Sequence, residues 1–183
     1  MVHGRQLKTA VGVAVLLVHV TAAPACAQQR DPRRSQRGSV VQVVGATRIE
    51  ILYSRPVARG RDLFGALVPW GEVWNPGADT ATRISFSTDV QLNGRHVAAG
   101  SYSLWAIPRA DVWTVIVSRA TPVWHLPYPG EDKDVLRLDA RPQNGSHMET
   151  LAYYFPVVDG YRAVLHLHWG TTVVPLEIRV DEH

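Results

Sequence analysis

The chain has 183 residues, and its content of 46% hydrophobic and 19% charged residues is that of an ordinary globular protein. The formal net charge of +3 comes from the N-terminal end, because residues 38–183 carry 13 basic and 15 acidic side chains. A nucleic-acid-binding domain requires a basic patch on its folded surface, so this distribution argues against nucleic acid as a partner.

Residues 1–27 have the pattern of a secretory signal peptide. Two basic residues precede an apolar run at 10–20, which is too short to span a bilayer. The small residues Ala25 and Ala27 then predict cleavage between Ala27 and Gln28. We therefore expect an exported protein, periplasmic or secreted, with no transmembrane segment in the mature chain.

The alternative form of export is a lipoprotein anchored through Cys26. Pro24 and the absence of a leucine three residues before the cysteine argue against this alternative. Cys26 is the only cysteine, so the mature chain forms no disulfide and must be stabilised by burial. The Arg-, Gln- and Ser-rich residues 28–38 predict a basic flexible linker before a single domain at 39–183.

From residue 39 onward the hydrophobic pattern has the period of two that is typical of β-strands. Apolar and polar residues alternate at 48–54 and 83–90, and Asn93-Gly94 predicts a tight hairpin turn. Further strands are predicted at 100–107, 113–118, 134–140, 149–155, 161–169 and 172–180. Eight or nine short strands predict a single antiparallel β-sandwich or barrel-like domain, with at most a short helical turn at 62–67.

Residues 53–79 form one long connection with no hydrophobic period of its own. Compact domains seldom keep such a connection unless it is functional or packs onto the body. The segment contains three arginines, and the guanidinium group binds carboxylate or phosphate through two parallel hydrogen bonds. These arginines are Arg55, Arg59 and Arg61.

We expect this segment to bind a small anionic or sugar-like ligand, or an envelope partner that is a protein or a polysaccharide. The three arginines would contact the anion, Asp79 would orient one of them, and Trp74 with Trp105 would form an apolar wall. In the alternative interpretation, the arginines pair with the acids of the same segment and fix it to the sandwich. Those acids are Asp62, Glu72 and Asp79.

His166 and His168 suggest a different chemistry. Two histidines two residues apart on a strand point to the same face, as two ligands of a zinc ion would. The string HLHWG resembles the zinc-binding strand of the α-carbonic anhydrases over five residues, but the motif that supplies the third ligand is missing. The hypothesis is a zinc-dependent hydrolase or hydratase, and the alternative is a solvent-facing sandwich strand.

A series of ordered motifs resembles the bacterial family catalogued as domain of unknown function 2911. The motifs are YSRP, RGRDLFG, LVPWGEVW, PGADTAT, AAGSYSLWAIP, WTVIVS and the strand ending Trp169-Gly170 before VVPLEI. The resemblance covers roughly residues 40–180 and implies an exported all-β protein with no established reaction. The chain departs from the family pattern at Asn75, where arginine is more frequent, and at Ser118, where asparagine is common.

No catalytic or cofactor motif stands out in the sequence. There is no G-x-S-x-G elbow, no cysteine in the mature chain and no glycine-rich phosphate loop before a helix. Enzymatic activity and oligomeric state are therefore left open, and zinc is the one metal that the pattern suggests. A structural or interaction role in the cell envelope is the third possibility.

Overall fold

The structure is a computed structural model that describes Met1 and residues 34–182. Its contacts divide the chain into residues 1–31 and residues 32–183, and only the second unit is described below. The predicted signal peptide and the linker residues 28–33 lie outside the described residues. No helix in the described part of the chain is long and apolar enough to cross a membrane.

Ten β-strands make up most of the described chain. They are β1 (Gln36–Val44), β2 (Thr47–Arg55), β3 (Arg83–Phe86), β4 (Val90–Leu92), β5 (Arg95–Val97), β6 (Gly100–Ile107), β7 (Trp113–Ser118), β8 (Asp134–Ala140), β9 (Gln143–Asp159) and β10 (Arg162–Arg179). All pairs are antiparallel, and they form a six-stranded sheet in the order β1-β2-β3-β6-β7-β8 and a four-stranded sheet in the order β5-β4-β10-β9. The two sheets pack on each other without closing into a barrel, which confirms the predicted sandwich.

The core lies between the two sheets and is built from the apolar residues of the alternating pattern. Ile51 and Ile84 project from the six-stranded sheet, and Leu165 and Ile178 project from the four-stranded sheet; all four are fully buried. Each such side chain contributes roughly 1.5–3 kcal/mol through burial. Because successive residues of a strand face opposite sides, the neighbours of these residues form the outer faces.

Several local predictions differ from the structure. Residues 62–67 form a single hydrogen-bonded turn, and the 3-10 turn Glu131–Lys133 is the helical element of the described chain. Gly65 prevents the turn from continuing as a helix, because it adopts a φ of 90°. The predicted strand at 83–90 is interrupted after Phe86, and β1 begins at Gln36, inside the expected linker.

The long connection between β2 and β3 is fastened to both sheets. The amide of Ala58 donates to the carbonyl of Glu149 on β9, at 2.8 Å. Trp74 and Ala106 of β6 exchange two backbone hydrogen bonds, each 2.8 Å long. Phe64 packs against Trp113 with ring centroids 4.8 Å apart. The connection is therefore part of the folded body, and its residues Val73 and Ala81 reach the outer face of the six-stranded sheet.

Candidate functional site

Part of the outer face of the six-stranded sheet is covered by a second, smaller core. It contains the buried residues Ala81, Trp105, Ile107 and Ile116, against which Val73, Val123 and Tyr128 pack. The covering residues come from the β2–β3 connection and from the loop between β7 and β8. These two segments cover part of the outer face of the sheet. They form walls beside the part of that face that stays open.

The β7–β8 loop is held over the sheet by a polar anchor. The Tyr128 hydroxyl donates to Asp134 Oδ1, and Arg137 Nε donates to Asp134 Oδ2 at 2.7 Å. Burial, followed by the hydrogen bond to Asp134, raises the pKa of Tyr128 to about 12. Tyr128 therefore keeps its proton at neutral pH and remains the donor that ties the loop to β8.

A cavity of about 400 Å³ lies beside this small core. Its floor is formed by β1, β2 and β3, and its walls by residues 80–81 and 121–122. The lining residues are Arg37, Gly38, Ser39, Leu52, Tyr53, Ser54, Thr80, Ala81, Arg83, Thr121 and Pro122. They include two arginines and no acidic side chain, so the cavity is cationic.

Strand register explains why both arginines face this cavity. Arg37 of β1 lies opposite Ser54 of β2, and Arg83 of β3 lies opposite Leu52 of β2. Leu52 and Ser54 are two residues apart on one strand and so face the same side of the sheet. The residues that alternate with these on each strand face the core, as Ile84 does after Arg83.

Arg83 is the most unusual residue of the cavity. Its Nε is buried and has no hydrogen-bond partner, and its guanidinium forms no ion pair with the residues that the structure describes. Buried polar groups are nearly always hydrogen-bonded, and a charged group without a partner costs more than a neutral one. Arg83 is therefore a cation on the floor of the cavity whose Nε has no hydrogen-bond partner among the described residues.

The other polar groups of the cavity are equally available. Within the described chain, no hydrogen bond or ion pair occupies the side chain of Arg37. The same holds for four hydroxyl groups that line the cavity, those of Ser39, Ser54, Thr80 and Thr121. Two guanidinium groups and several free hydroxyls thus converge on one small volume.

A second hollow of about 490 Å³ adjoins the cavity and shares Arg37 and Thr80 with it. It adds Arg34, Asp79 and the exposed ring of Trp124. Asp79, which we expected to orient an arginine of the 53–79 segment, lies here instead. Its φ is 59°, its carbonyl accepts hydrogen bonds from His125, and no described side chain pairs with its carboxylate.

The three arginines predicted from the 53–79 segment are bonded mainly to backbone carbonyl groups. Arg55 Nε donates to the carbonyl of Leu151 at 3.2 Å, and Arg59 donates to that of Arg34 at 3.3 Å. Arg61 donates to the carbonyls of residues 57 and 58. Among the described residues, none of them pairs with the acids of its own segment. The structure does not bring the three together in the cavity, and the alternative of internal ion pairs does not hold either.

The two predicted wall residues lie elsewhere. Trp105 is fully buried in the small outer core, and its Nε1 donates to Ser103 Oγ at 2.8 Å. Trp74 is half-buried and stacks on Trp169, with ring centroids 6.1 Å apart and planes inclined by 12°. Trp105 is therefore corrected from a ligand wall to a core residue, because outward residues of β6 are covered by the small outer core.

The predicted histidine pair forms a hydrogen-bonded chain. His168 Nε2 donates to the carbonyl of Ser146 at 3.0 Å, so its Nδ1 accepts from the hydroxyl of Tyr154, also at 3.0 Å. The same hydroxyl lies 3.4 Å from His166 Nδ1. Burial, and secondly the neighbouring His168, lowers the pKa of His166.

This arrangement does not fit a zinc site. Both ring nitrogens of His168 are engaged, so His168 has no free lone pair for a metal ion. The described residues also contain no group of three or more His, Cys, Asp or Glu side chains that could hold a metal. A catalytic zinc needs three protein ligands, which the two histidines alone do not provide.

Sequence reasoning missed Arg37 and Arg83, the central residues of the cavity. The signal for Arg83 was present, because it alternates with the core residue Ile84 and must face outward. Arg37 gave no such signal, since it lay in the predicted linker. Strand pairing brings the two arginines to one cavity, and the sequence around either residue does not predict that pairing.

The fold and the site together define an antiparallel β-sandwich with a cationic cavity on one outer face. Residues 35–178 match the family model described as "Protein of unknown function (DUF2911)", and the chain belongs to that family. This confirms the resemblance found in the sequence motifs. Searches of curated proteins and of solved structures give no match.

Proposed function

We propose that the protein binds a small organic anion in the cavity formed by Arg37 and Arg83. The observation that supports this most strongly is the buried, unpaired Nε of Arg83. A carboxylate or phosphate group that accepts hydrogen bonds from both guanidinium groups would remove this unsatisfied charge. Of the 53–79 segment only Tyr53 and Ser54, which belong to β2, line this cavity, so the proposed ligand lies beside the segment and not within it.

The lining also limits the body of the ligand. Leu52, Ala81 and Pro122 give the cavity an apolar side, and the free hydroxyls of Ser39 and Ser54 give it a polar side. At about 400 Å³ it is at the small end of the range for small-molecule pockets. The best match is a small carboxylate or phosphate ester with a short apolar portion.

Binding is better supported than catalysis. The lining residues include no histidine, cysteine or carboxylate that would serve as a nucleophile or general base. The hydroxyls of Ser39, Ser54 and Thr121 have no such base beside them in the cavity. Recognition of a charged group is what the two arginines and the hydroxyls support.

We also infer that the protein acts outside the cytoplasm. This rests on the signal-peptide pattern of residues 1–27, in which cleavage falls between Ala27 and Gln28. Intact-mass analysis of the protein from its native host should give a chain that begins at Gln28. A chain beginning at Met1 would contradict export, and a lipid-modified Cys26 would show the lipoprotein alternative.

A thermal-shift screen of the chain beginning at Gln28 tests anion binding. The probes are inorganic phosphate, glycerol phosphate, citrate and succinate, each at constant ionic strength. A probe present at about 100 times its dissociation constant stabilises the protein by roughly 2.7 kcal/mol, which is a shift of several degrees. We expect at least one probe to give such a shift.

Matched variants separate the cavity from general charge effects. Arg37→Gln and Arg83→Gln should each abolish the shift. Arg95→Gln should retain it, because Arg95 is an exposed arginine of β5 that lines none of the cavities described here. The proposal fails if no probe shifts the wild type, or if the shift persists in both cavity variants.

A further inference from the structure

A half-exposed tryptophan lies at the surface of the β2–β3 connection, away from the cationic cavity. Trp70 is 49% exposed, yet one side of its indole ring is packed. Phe64 lies beside it with ring centroids 6.1 Å apart, and a Cβ on Gly65 would come within 2.3 Å of Trp70 Nε1. The amide of the next residue, Gly71, donates to the carbonyl of Pro108 at 2.8 Å. The ring is thus supported from behind and open in front.

Trp70 borders two hollows that together form a groove. One, of about 380 Å³, includes Asp62 and Thr172, and the other, of about 270 Å³, includes Asn144 and Thr172. Both share Trp70 and Thr172, so the indole ring stands between them. A groove that continues on either side of an aromatic ring suits an extended ligand better than a single compact one.

The polar residues of the groove are free to bind a ligand. Within the part of the chain that the structure describes, no hydrogen bond or ion pair occupies the carboxylate of Asp62 or the side-chain amides of Gln143 and Asn144. Arg109 gives one N–H to Thr114 Oγ1 at 3.1 Å and has further N–H groups. Amide, carboxylate and guanidinium groups together supply both donors and acceptors, as hydroxyl groups require.

The charges of the groove distinguish it from the cationic cavity. One hollow holds the carboxylate of Asp62 beside the guanidinium of Arg61 and the imidazole of His147, and the other holds the guanidinium of Arg109. The carboxylate of Asp62 would repel an anionic ligand, and the guanidinium of Arg109 would repel a cationic one. The mixed charge therefore favours a neutral ligand that is rich in hydroxyl groups.

We propose that this groove binds a neutral oligosaccharide. The apolar C–H face of one sugar ring lies on the exposed face of Trp70, which offers a large flat apolar surface. Hydroxyl groups of that ring and its neighbours bond to Asp62, Gln143, Asn144 and Arg109. The cationic cavity uses none of these residues, so the oligosaccharide site stands independently of the anion site.

Isothermal titration with three hexasaccharides tests the proposal. The probes are maltohexaose, cellohexaose and chitohexaose, which present α-linked glucose, β-linked glucose and β-linked N-acetylglucosamine and carry no charge. We expect saturable binding of at least one, and weaker binding of its disaccharide because fewer rings occupy the groove. Absence of saturable binding for all three at roughly 10 mM would overturn the proposal.

Substitutions in the groove test whether the oligosaccharide binds there. Trp70→Ala should weaken it at least tenfold, as is common for a central aromatic contact. Asn144→Ala leaves the aromatic packing intact and should also weaken it, which guards against a folding defect in the first variant. Trp124→Ala, another exposed tryptophan, and Arg83→Gln should bind as the wild type does. Unchanged affinity in both Trp70→Ala and Asn144→Ala would place the sugar elsewhere and overturn the proposal.

Discussion

At the residue scale, Arg83 is a partly buried cation whose Nε has no hydrogen-bond partner among the described residues. Replacing it with methionine keeps an unbranched apolar stem and removes the charged guanidinium group. We expect Arg83→Met to leave stability unchanged or to raise it by about 1–3 kcal/mol, because an unsatisfied polar group is removed. Urea unfolding in a buffer free of phosphate and carboxylates measures this.

Arg95→Met is the matched control for the stability effect. Arg95 is exposed, so its replacement should change the free energy of unfolding by no more than about 0.5 kcal/mol. A fall of more than about 1 kcal/mol in Arg83→Met would mean that the arginine stabilises the fold. In that case Arg83 would be structural, and the argument for an anion would lose its main support.

His166 makes a prediction about pH. Burial and His168 lower its pKa in the folded state, so the unfolded chain takes up this proton first as pH falls. The contribution of neutral His166 to the free energy of unfolding should therefore be complete above the ordinary histidine pKa of about 6.5. It should decrease as the pH falls from there to the lowered pKa of the folded state. Unfolding free energies at about pH 7.5 and pH 5.5 should differ more in the wild type than in His166→Gln.

Except for His168, which is coupled to His166, the other titrating groups are unchanged, so the comparison reports on this histidine pair. An equal pH dependence in the wild type and His166→Gln would show that the Tyr154-centred chain does not disfavour the charged form of this ring. The sequence predicted that His166 and His168 share a face, and the structure agrees. The sequence did not predict Tyr154 opposite His166, and the Tyr154 hydroxyl is bonded to His168 Nδ1.

At the element scale, the β2–β3 connection behaves as a third layer fixed by aromatic packing. Phe64 contacts four tryptophan rings, those of Trp70, Trp74, Trp113 and Trp169. Phe64→Ala removes these contacts and should cost about 2–4 kcal/mol, slightly below the range for a fully buried phenylalanine. Urea unfolding followed by tryptophan fluorescence measures the loss.

Leu67→Ala is the matched control within the same segment. Leu67 is 42% exposed and should cost only about 0.5 kcal/mol when truncated. If the two variants lose the same small amount, the connection is not packed as described. Trp70 would then lack the packing that supports its ring.

Strands with clear alternation and clear ends were predictable from sequence alone. The strands predicted at 113–118 and 134–140 agree with β7 and β8. β10 was predicted as two strands, because Gly170 breaks the pattern. The chain bends there with a φ of 59° and a register shift but continues as one strand. Pro175 lies between the part of β10 that pairs with β9 and the part that pairs with β4, so its missing N–H interrupts neither ladder.

At the scale of the whole molecule, the sandwich follows from sequence but the site does not. Alternation along each strand fixes which residues face the core, and this suffices to predict two packed antiparallel sheets. The cationic cavity combines Arg37, Ser54, Arg83 and Thr121, which are far apart in the chain. Their proximity depends on strand order and on the β7–β8 loop, and single-sequence patterns contain neither.

The measurement that tests the central claim most directly is isothermal titration of the wild type and Arg83→Met with the anion that gives the largest thermal shift. We predict saturable binding at one site in the wild type. In Arg83→Met the affinity should be at least about 10-fold lower, because the anion loses charge-assisted hydrogen bonds that are worth about 1.5–3 kcal/mol each. Equal affinity in the two proteins would contradict the assignment of this cavity as an anion site.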